Sequence, residues 1–197
     1  MRLVFIRHGE TDVNLVNLTH KTGDQVGLND IGKGQITKAT AVLKQNYVEK
    51  VYYSPELRTT QTAQIISTEL NNPLVSLTEL QERNWGDWEG MSWSEIRTRL
   101  DPMSLDERYT FIPPGGESWK QMENRIKKVL DLITQGPERS VCVVTHAGFL
   151  RGSIPIIKNE PKETSFKYDF ANASITIYDY DGNGYKEAMF NDTSHLL

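Results

Sequence analysis

Apolar residues along this chain fall into short runs that end abruptly in polar, chemistry-bearing residues. Leu3-Val4-Phe5-Ile6 gives way to Arg7-His8-Gly9-Glu10-Thr11, and Val51-Tyr52-Tyr53 to Ser54-Pro55-Glu56-Leu57-Arg58. Val141-Cys142-Val143-Val144 gives way to Thr145-His146-Ala147-Gly148. Continuous runs of this length predict buried strands. Between them the spacing turns helical. Ala39, Val42 and Leu43 share one face behind an Asn29-Asp30 cap, and Ala63, Ile66 and Leu70 share another. The second helix is expected to use Ser54 as its cap and Pro55 as its first residue, with Arg58 in or just after the first turn. The clearest amphipathic stretch carries Trp119, Met122, Ile126, Val129, Leu130 and Ile133, opened by a Ser118–Gln121 capping box. Residues 148–156 predict a short helix. Residues 175–178 and 185–190 flank Asp181-Gly182-Asn183-Gly184, a hairpin or edge pair. Residues 101–116 are the least regular and are expected to form a loop or lid beside a cleft.

Strands alternating with helices imply an α/β architecture, in which ligands bind beyond the carboxyl ends of the strands. If the strands are parallel neighbours, Arg7, His8, Arg58 and His146 meet at one sheet edge. Guanidinium and imidazole groups gathered there suit a dense anion. Phosphate comes first, because the planar fork of arginine matches its oxygens bidentately. A helix starting near Arg58 would add the positive end of its dipole. The plainer alternatives are structural histidines at strand ends and arginines serving as ordinary ion-pair partners.

Composition narrows the picture. The 197 residues suit one domain, 1–197, with no internal repeat or linker. A formal net charge of −4 argues against a nucleic-acid partner. No apolar stretch is long enough for a membrane span, and Met1-Arg2 leads into too few apolar residues for a signal peptide, so a cytoplasmic location is expected. The single cysteine, Cys142, sits inside an apolar run and reads as a small buried hydrophobe. His8 and His146 alone are too few for a metal site, and no H-E-x-x-H motif completes one. Neither a metal nor a cofactor is expected.

Further blocks occur in order: Leu80-Gln81-Glu82-Arg83-Asn84-Trp85-Gly86-Asp87-Trp88-Glu89-Gly90, then Pro114-Gly115-Gly116-Glu117-Ser118. With the Arg7–Thr11 block, Asn14, the segment around Arg58 and Thr145–Gly148, they cover nearly the whole chain. The sequence resembles the histidine phosphatase superfamily, which includes the cofactor-dependent phosphoglycerate mutases. The resemblance implies a three-layer α/β/α sandwich with a mostly parallel central sheet. It implies that His8 is the nucleophile, that Arg7 and Arg58 hold the phosphoryl oxygens, and that His146 adds hydrogen bonding or charge, with Ala147 beside it. Asn14 matches a polar contact to phosphate, and Gly9 would allow close backbone approach. Glu82 matches the acid position, where a raised pKa would suit a proton donor. Glu79, Glu89 and Glu117 are rival carboxylates.

Thr22-Gly23 resembles a substrate-contacting pair, although the spacing to Leu28 is one residue shorter here. Glu10 and Thr11 are expected chiefly to shape and cap the turn, and the Trp85-Trp88-Trp93 cluster either packs or lines the pocket mouth. No role emerges for His20 or His195. Three functions remain open on the sequence. The leading one is a metal-independent phosphatase acting on a small phosphorylated metabolite. Next is a phosphoglycerate mutase, against which stand a shorter Glu82–His146 interval and Ala147-Gly148 where mutases usually carry Gly-Asn. The third is a non-catalytic phospholigand-binding module. Whether the chain is a monomer or a homodimer stays open.

Overall fold

The computed structural model describes residues 1–197. In chain order the elements are β1 (Arg2–Arg7), α1 (Asp12–Leu15), α2 (Asp30–Gln45), β2 (Lys50–Tyr53), α3 (Leu57–Leu70) and β3 (Leu74–Ser76). They continue with α4 (Trp93–Leu100), α5 (Leu105–Thr110), α6 (Trp119–Thr134), β4 (Ser140–Thr145), α7 (Ala147–Lys158), β5 (Ile175–Tyr180) and β6 (Tyr185–Asp192). The sheet order is β3-β2-β4-β1-β5-β6. Strands β3, β2, β4 and β1 run parallel, while β5 and β6 form the expected antiparallel pair at one side.

Alternation along the strands builds the layers, because successive side chains point to opposite faces. Leu3 and Phe5 of β1, with Val141 and Val143 of β4, pack with Met122, Ile126 and Leu130 of α6 and Phe149 and Ile154 of α7. Val4, Ile6, Cys142 and Val144 face the other way, onto Ile36, Ala39 and Leu43 of α2 and Ala63 and Ile66 of α3. Strands buried on both faces read as continuous apolar runs, the pattern seen in β1 and β4. Each fully buried aliphatic side chain here contributes roughly 1.5–3 kcal/mol. The result is a three-layer sandwich around a mostly parallel sheet. No helix is long and apolar enough to cross a membrane.

Two local expectations need correction. Helix α3 starts at Leu57 rather than Pro55; its cap is Glu56, which makes no side-chain capping bond. Ser54 is held back by the sheet, its N–H donating to Val144 O at 3.2 Å and extending the β2–β4 ladder. Residues 101–116 are not wholly irregular, because Ser104 and Glu107 form a capping box that opens α5. The Ser118–Gln121 box opens α6 as expected.

Candidate active site

Parallel pairing brings the strand ends into register. Arg7 lies opposite Thr145 and Tyr53 opposite Val144, so the residues just beyond β1, β2 and β4 emerge side by side. The His8 N–H still donates to Thr145 O at 3.0 Å, which fixes the nucleophile candidate to the sheet itself. Gly9 is required by a close approach: a Cβ there would meet the backbone of Gly32 in the first turn of α2.

Arg7, His8, Asn14, Arg58, Glu82, His146 and Ala147 all line one cleft with two lobes. The inner lobe, of about 50 Å³, is bounded by His8, Arg58 and His146; the outer, of about 600 Å³, opens toward α4 and the segment 166–172. His8 and Arg58 are each 2% exposed and His146 is 1% exposed. The rings of His8 and His146 are 5.3 Å apart between centroids.

His8 Nδ1 lies 2.8 Å from Gly9 O. A carbonyl only accepts, so Nδ1 carries the hydrogen and Nε2 keeps its lone pair. Burial, aided by the charges of Arg58 and Arg7 and by the neighbouring His146, pushes the His8 pKa well below that of an ordinary imidazole. Arg7 donates from Nη1 to Phe170 O at 2.5 Å, while its Nε and that of Arg58 are buried without partners. Arg58 Nη2 stands 3.3 Å from His146 Nδ1, and its Nη1 is 3.5 Å from Asp24 Oδ1. Asn14 Oδ1 accepts from Thr11 N at 3.1 Å, Thr11 Oγ1 at 2.9 Å and Asn172 Nδ2 at 3.1 Å, which leaves the Asn14 amide hydrogens free to point elsewhere.

Glu82 departs from expectation. Its carboxylate accepts from the backbone N–H of Arg83 at 2.8 Å and of Gly148 at 3.0 Å, the latter in space that a Cβ on residue 148 would fill. Burial raises its pKa, but the neighbouring His146 ring, these two N–H groups and Arg58 outweigh burial, and the net direction is down. In this arrangement Glu82 is therefore a carboxylate, not the raised-pKa acid expected.

Thr22 and Gly23 are exposed and line neither lobe. Thr22 instead donates to the Glu89 carboxylate through N at 2.8 Å and Oγ1 at 2.5 Å. His20, for which the sequence offered no role, lines the inner lobe 5.9 Å from the His8 ring. Its nitrogens face Asp24 Oδ2 at 3.2 Å and Thr11 Oγ1 at 3.0 Å, and burial with Arg58 nearby lowers its pKa to about 4. Only the tertiary path of residues 17–28 brings it there. Glu56 was also missed, although it stands two residues before Arg58 and its carboxylate reaches His146 Nε2 at 3.2 Å. His195 lies away from both lobes, among residues beyond β6. Trp85 and Trp93 line the cleft and meet edge to face at 5.6 Å, whereas Trp88 packs behind them. Glu10 and Thr11 shape the turn as expected: Thr11 caps α1 in a capping box with Asn14, and Glu10 accepts from Asn29 Nδ2 at 3.0 Å.

No cluster of three or more His, Cys, Asp or Glu side chains suited to a metal ion occurs in the structure. The geometry is that of a basic pocket with an oriented, neutral imidazole at its floor and a carboxylate at its wall.

Comparisons with known proteins find relatives in both sequence and fold. The chain is 29% identical over 189 residues to a 2,3-bisphosphoglycerate-dependent phosphoglycerate mutase of Cytophaga hutchinsonii, covering 90% of this chain and 87% of that protein. Its structure is similar to that of Bacillus stearothermophilus YhfR, with a TM-score of 0.86 at 26% identity, covering 100% of this chain and 99% of that one. It is also similar to a mycobacterial glucosyl-3-phosphoglycerate phosphatase in complex with VO3, with a TM-score of 0.83 at 26% identity, covering 96% of this chain and 98% of that one. The sequence profile of the histidine phosphatase superfamily, branch 1, matches residues 3–193. The chain belongs to that family of phosphoryl-transferring enzymes.

Proposed function

We propose that residues 1–197 form one catalytic domain that hydrolyses a small phosphomonoester without a metal, by way of a phosphohistidine on His8. The observation that carries this reading is the His8 imidazole. It is neutral, aligned by Gly9 O, and faced by Arg7, Arg58 and His146. Phosphoryl transfer needs an in-line nucleophile, neutralisation of the equatorial oxygens and a proton for the leaving oxygen. In the first step the Nε2 lone pair of His8 attacks phosphorus, the N–P bond forms and the P–O bond to the alcohol breaks. Arg7, Arg58 and the Asn14 amide would meet the oxygens, with Ala147 at the mouth.

Glu82 is the candidate proton carrier. A phosphoryl dianion arriving beside a carboxylate raises its pKa, so the group that is ionised in the free enzyme gains its proton with substrate. It protonates the leaving alcohol. In the second step it takes a proton from the attacking water, the O–P bond forms and the N–P bond breaks, and His8 is restored. Thr22 and Gly23 have no part in this scheme.

The test is phosphate release across a panel of phosphorylated metabolites with a chelator present, alongside detection of phosphohistidine after an alkaline quench, because acid hydrolyses the N–P bond. Turnover with label on His8, and a loss of about 10³-fold or more in His8→Ala, is expected for a nucleophile. Label on another residue would sink the assignment. The mutase reading draws on the relative from Cytophaga hutchinsonii; delivery of the phosphoryl group to a second alcohol rather than to water would favour it.

A further inference from the structure

One buried acid beside the site has no part in this reaction. Glu56, the cap of α3, is 6% exposed and lies behind His146 rather than along the cleft. Its Oε2 accepts from Ser54 Oγ and stands 3.2 Å from His146 Nε2, which is itself 3.0 Å from Ser54 Oγ. The Ser54 hydrogen points to Glu56, so the nitrogen facing both oxygens carries a hydrogen of its own. The other ring nitrogen, Nδ1, is 3.3 Å from Arg58 Nη2. A guanidinium only donates, so Nδ1 accepts. In the free protein His146 is thus the neutral tautomer, with a bare lone pair facing the place where Arg58 would hold an anion.

A bare lone pair repels a phosphoryl oxygen, whereas a protonated Nδ1 donates to it. We propose that Glu56, held by Ser54, is the counter-charge that lets His146 take up a proton at Nδ1 when a tetrahedral dianion binds beside Arg58. The inference rests on the reading that the inner lobe holds the phosphoryl group. One proton moves from solvent to Nδ1 and returns when the anion leaves; no covalent bond between heavy atoms changes. The charged and titratable groups facing His146 are Arg58 and Glu56 around the start of α3, Arg7 and His8 at the end of β1, His20 on the loop after α1, and Glu82. Burial and Arg58 oppose the proton, Glu56 and Glu82 favour it, and the incoming dianion tips the balance. Glu56 is ionised throughout. Burial raises its pKa, but the bonds to His146 and Ser54 and the charge of Arg58 hold it well below the usual carboxylate range. Glu56 makes no contact with the anion and acts through His146, as a positioning residue.

Tungstate tests this, being a tetrahedral dianion without a proton near neutral pH. Calorimetry at about pH 7.5, in buffers of different ionisation enthalpy, reads the protons taken up per anion bound. The wild-type protein is expected to take up about one and a half to two protons, one on Glu82 and the rest on His146 Nδ1. Glu56→Gln, similar in size but uncharged, should lose the His146 share, leaving about one, and raise the Kd about tenfold or more, equivalent to one pKa unit of coupling. Glu56→Asp and Ser54→Ala keep the charge and should retain the uptake. Should Glu56→Gln fail to fold, nitrogen-15 spectra of the wild-type histidines carry the test, with His146 Nδ1 moving to its protonated shift on saturation with tungstate.

Binding without proton uptake beyond that of Glu82, or equal uptake and affinity in Glu56→Gln, would overturn the role of Glu56 and leave the phosphoryl pocket standing. Failure of tungstate to bind the wild-type protein would bring down the pocket reading itself and this inference with it.

Discussion

The two lobes of the cleft are built in different ways. The inner lobe takes its chemistry from residues directly after β1 and β4 and from the first turn of α3, each anchored by the sheet ladder or by a helix start. The outer lobe is walled by α4, by the loop that leads to α5 and by residues 166–172, none of which belongs to the sheet. Its lining mixes Trp85, Trp93 and Trp119 with Arg83, Arg97, Arg151 and Lys167. Reaction chemistry needs reacting atoms held to a fraction of an ångström, which strand ends provide. Recognition of one substrate among many tolerates, and benefits from, walls that vary independently of the sheet. The difference teaches where to look for each property: mechanism in the inner lobe, substrate choice in the outer.

The sharpest way to break that division is Glu82→Gln. Loss of a proton donor should cost about 10²–10⁴-fold in kcat for an alkyl phosphate, and far less for an activated aryl phosphate whose leaving group needs no proton. Equal losses for both would move Glu82 out of the proton-transfer role.

Arg97→Ala, at a residue that lines only the outer lobe, should behave differently. With a small aryl phosphate, kcat should stay within about twofold, while KM for a larger preferred substrate rises by about tenfold, the signature of lost binding that is uniform between ground and transition states. A collapse of kcat instead would mean that the lobes are not separable.

The pH response sharpens the picture of the inner lobe. His8 has its pKa depressed, so the neutral nucleophile persists as the pH falls below the ordinary imidazole value near 6.5 and is lost only on passing through the lower folded-state value. Nuclear magnetic resonance titration of the His8 ring in the free enzyme should show no midpoint at or above about pH 6.5. An ordinary midpoint would show that the pocket is wetter and less cationic than described.

The smallest effect belongs to a residue that lines neither lobe. Ser118→Ala removes the cap of α6 and should cost about 1 kcal/mol of stability, read from chemical denaturation, with turnover unchanged.

Legibility in the sequence divides along the same line. Runs such as Leu3–Ile6 and Val141–Val144 carry their burial in their composition, and the residues just beyond each run are placed by the topology alone, so Arg7, His8 and His146 were legible. Arg58 was legible for the same reason, although the start of its helix was set too early. A proline after a serine is a strong local signal, but the ladder bond from Ser54 to Val144 overrode it. The α5 capping box, Ser104 with Glu107, was present in the sequence but was outweighed by the surrounding Pro and Gly. Glu56 lies inside the block around Arg58 but reads there as a turn residue, and His20 belongs to no block; they reach the site only through a turn after β2 and a loop path after α1. The ionised state of Glu82 depends on two backbone N–H groups, one from the adjacent residue and one from α7, and no side-chain pattern announces the second.

Strand β1 is paired with β4 on one side and β5 on the other, so its amides are hydrogen-bonded across the middle of the sheet, and the His8 N–H extends that ladder. Amides in such central strands exchange with solvent only when the whole domain opens. The nucleophile therefore sits on one of the slowest-exchanging segments of the molecule, and gentle heating that frays the outer walls of the cleft should leave it armed. Loss of activity toward a small aryl phosphate should then coincide with global unfolding, while discrimination among larger substrates fades several degrees earlier.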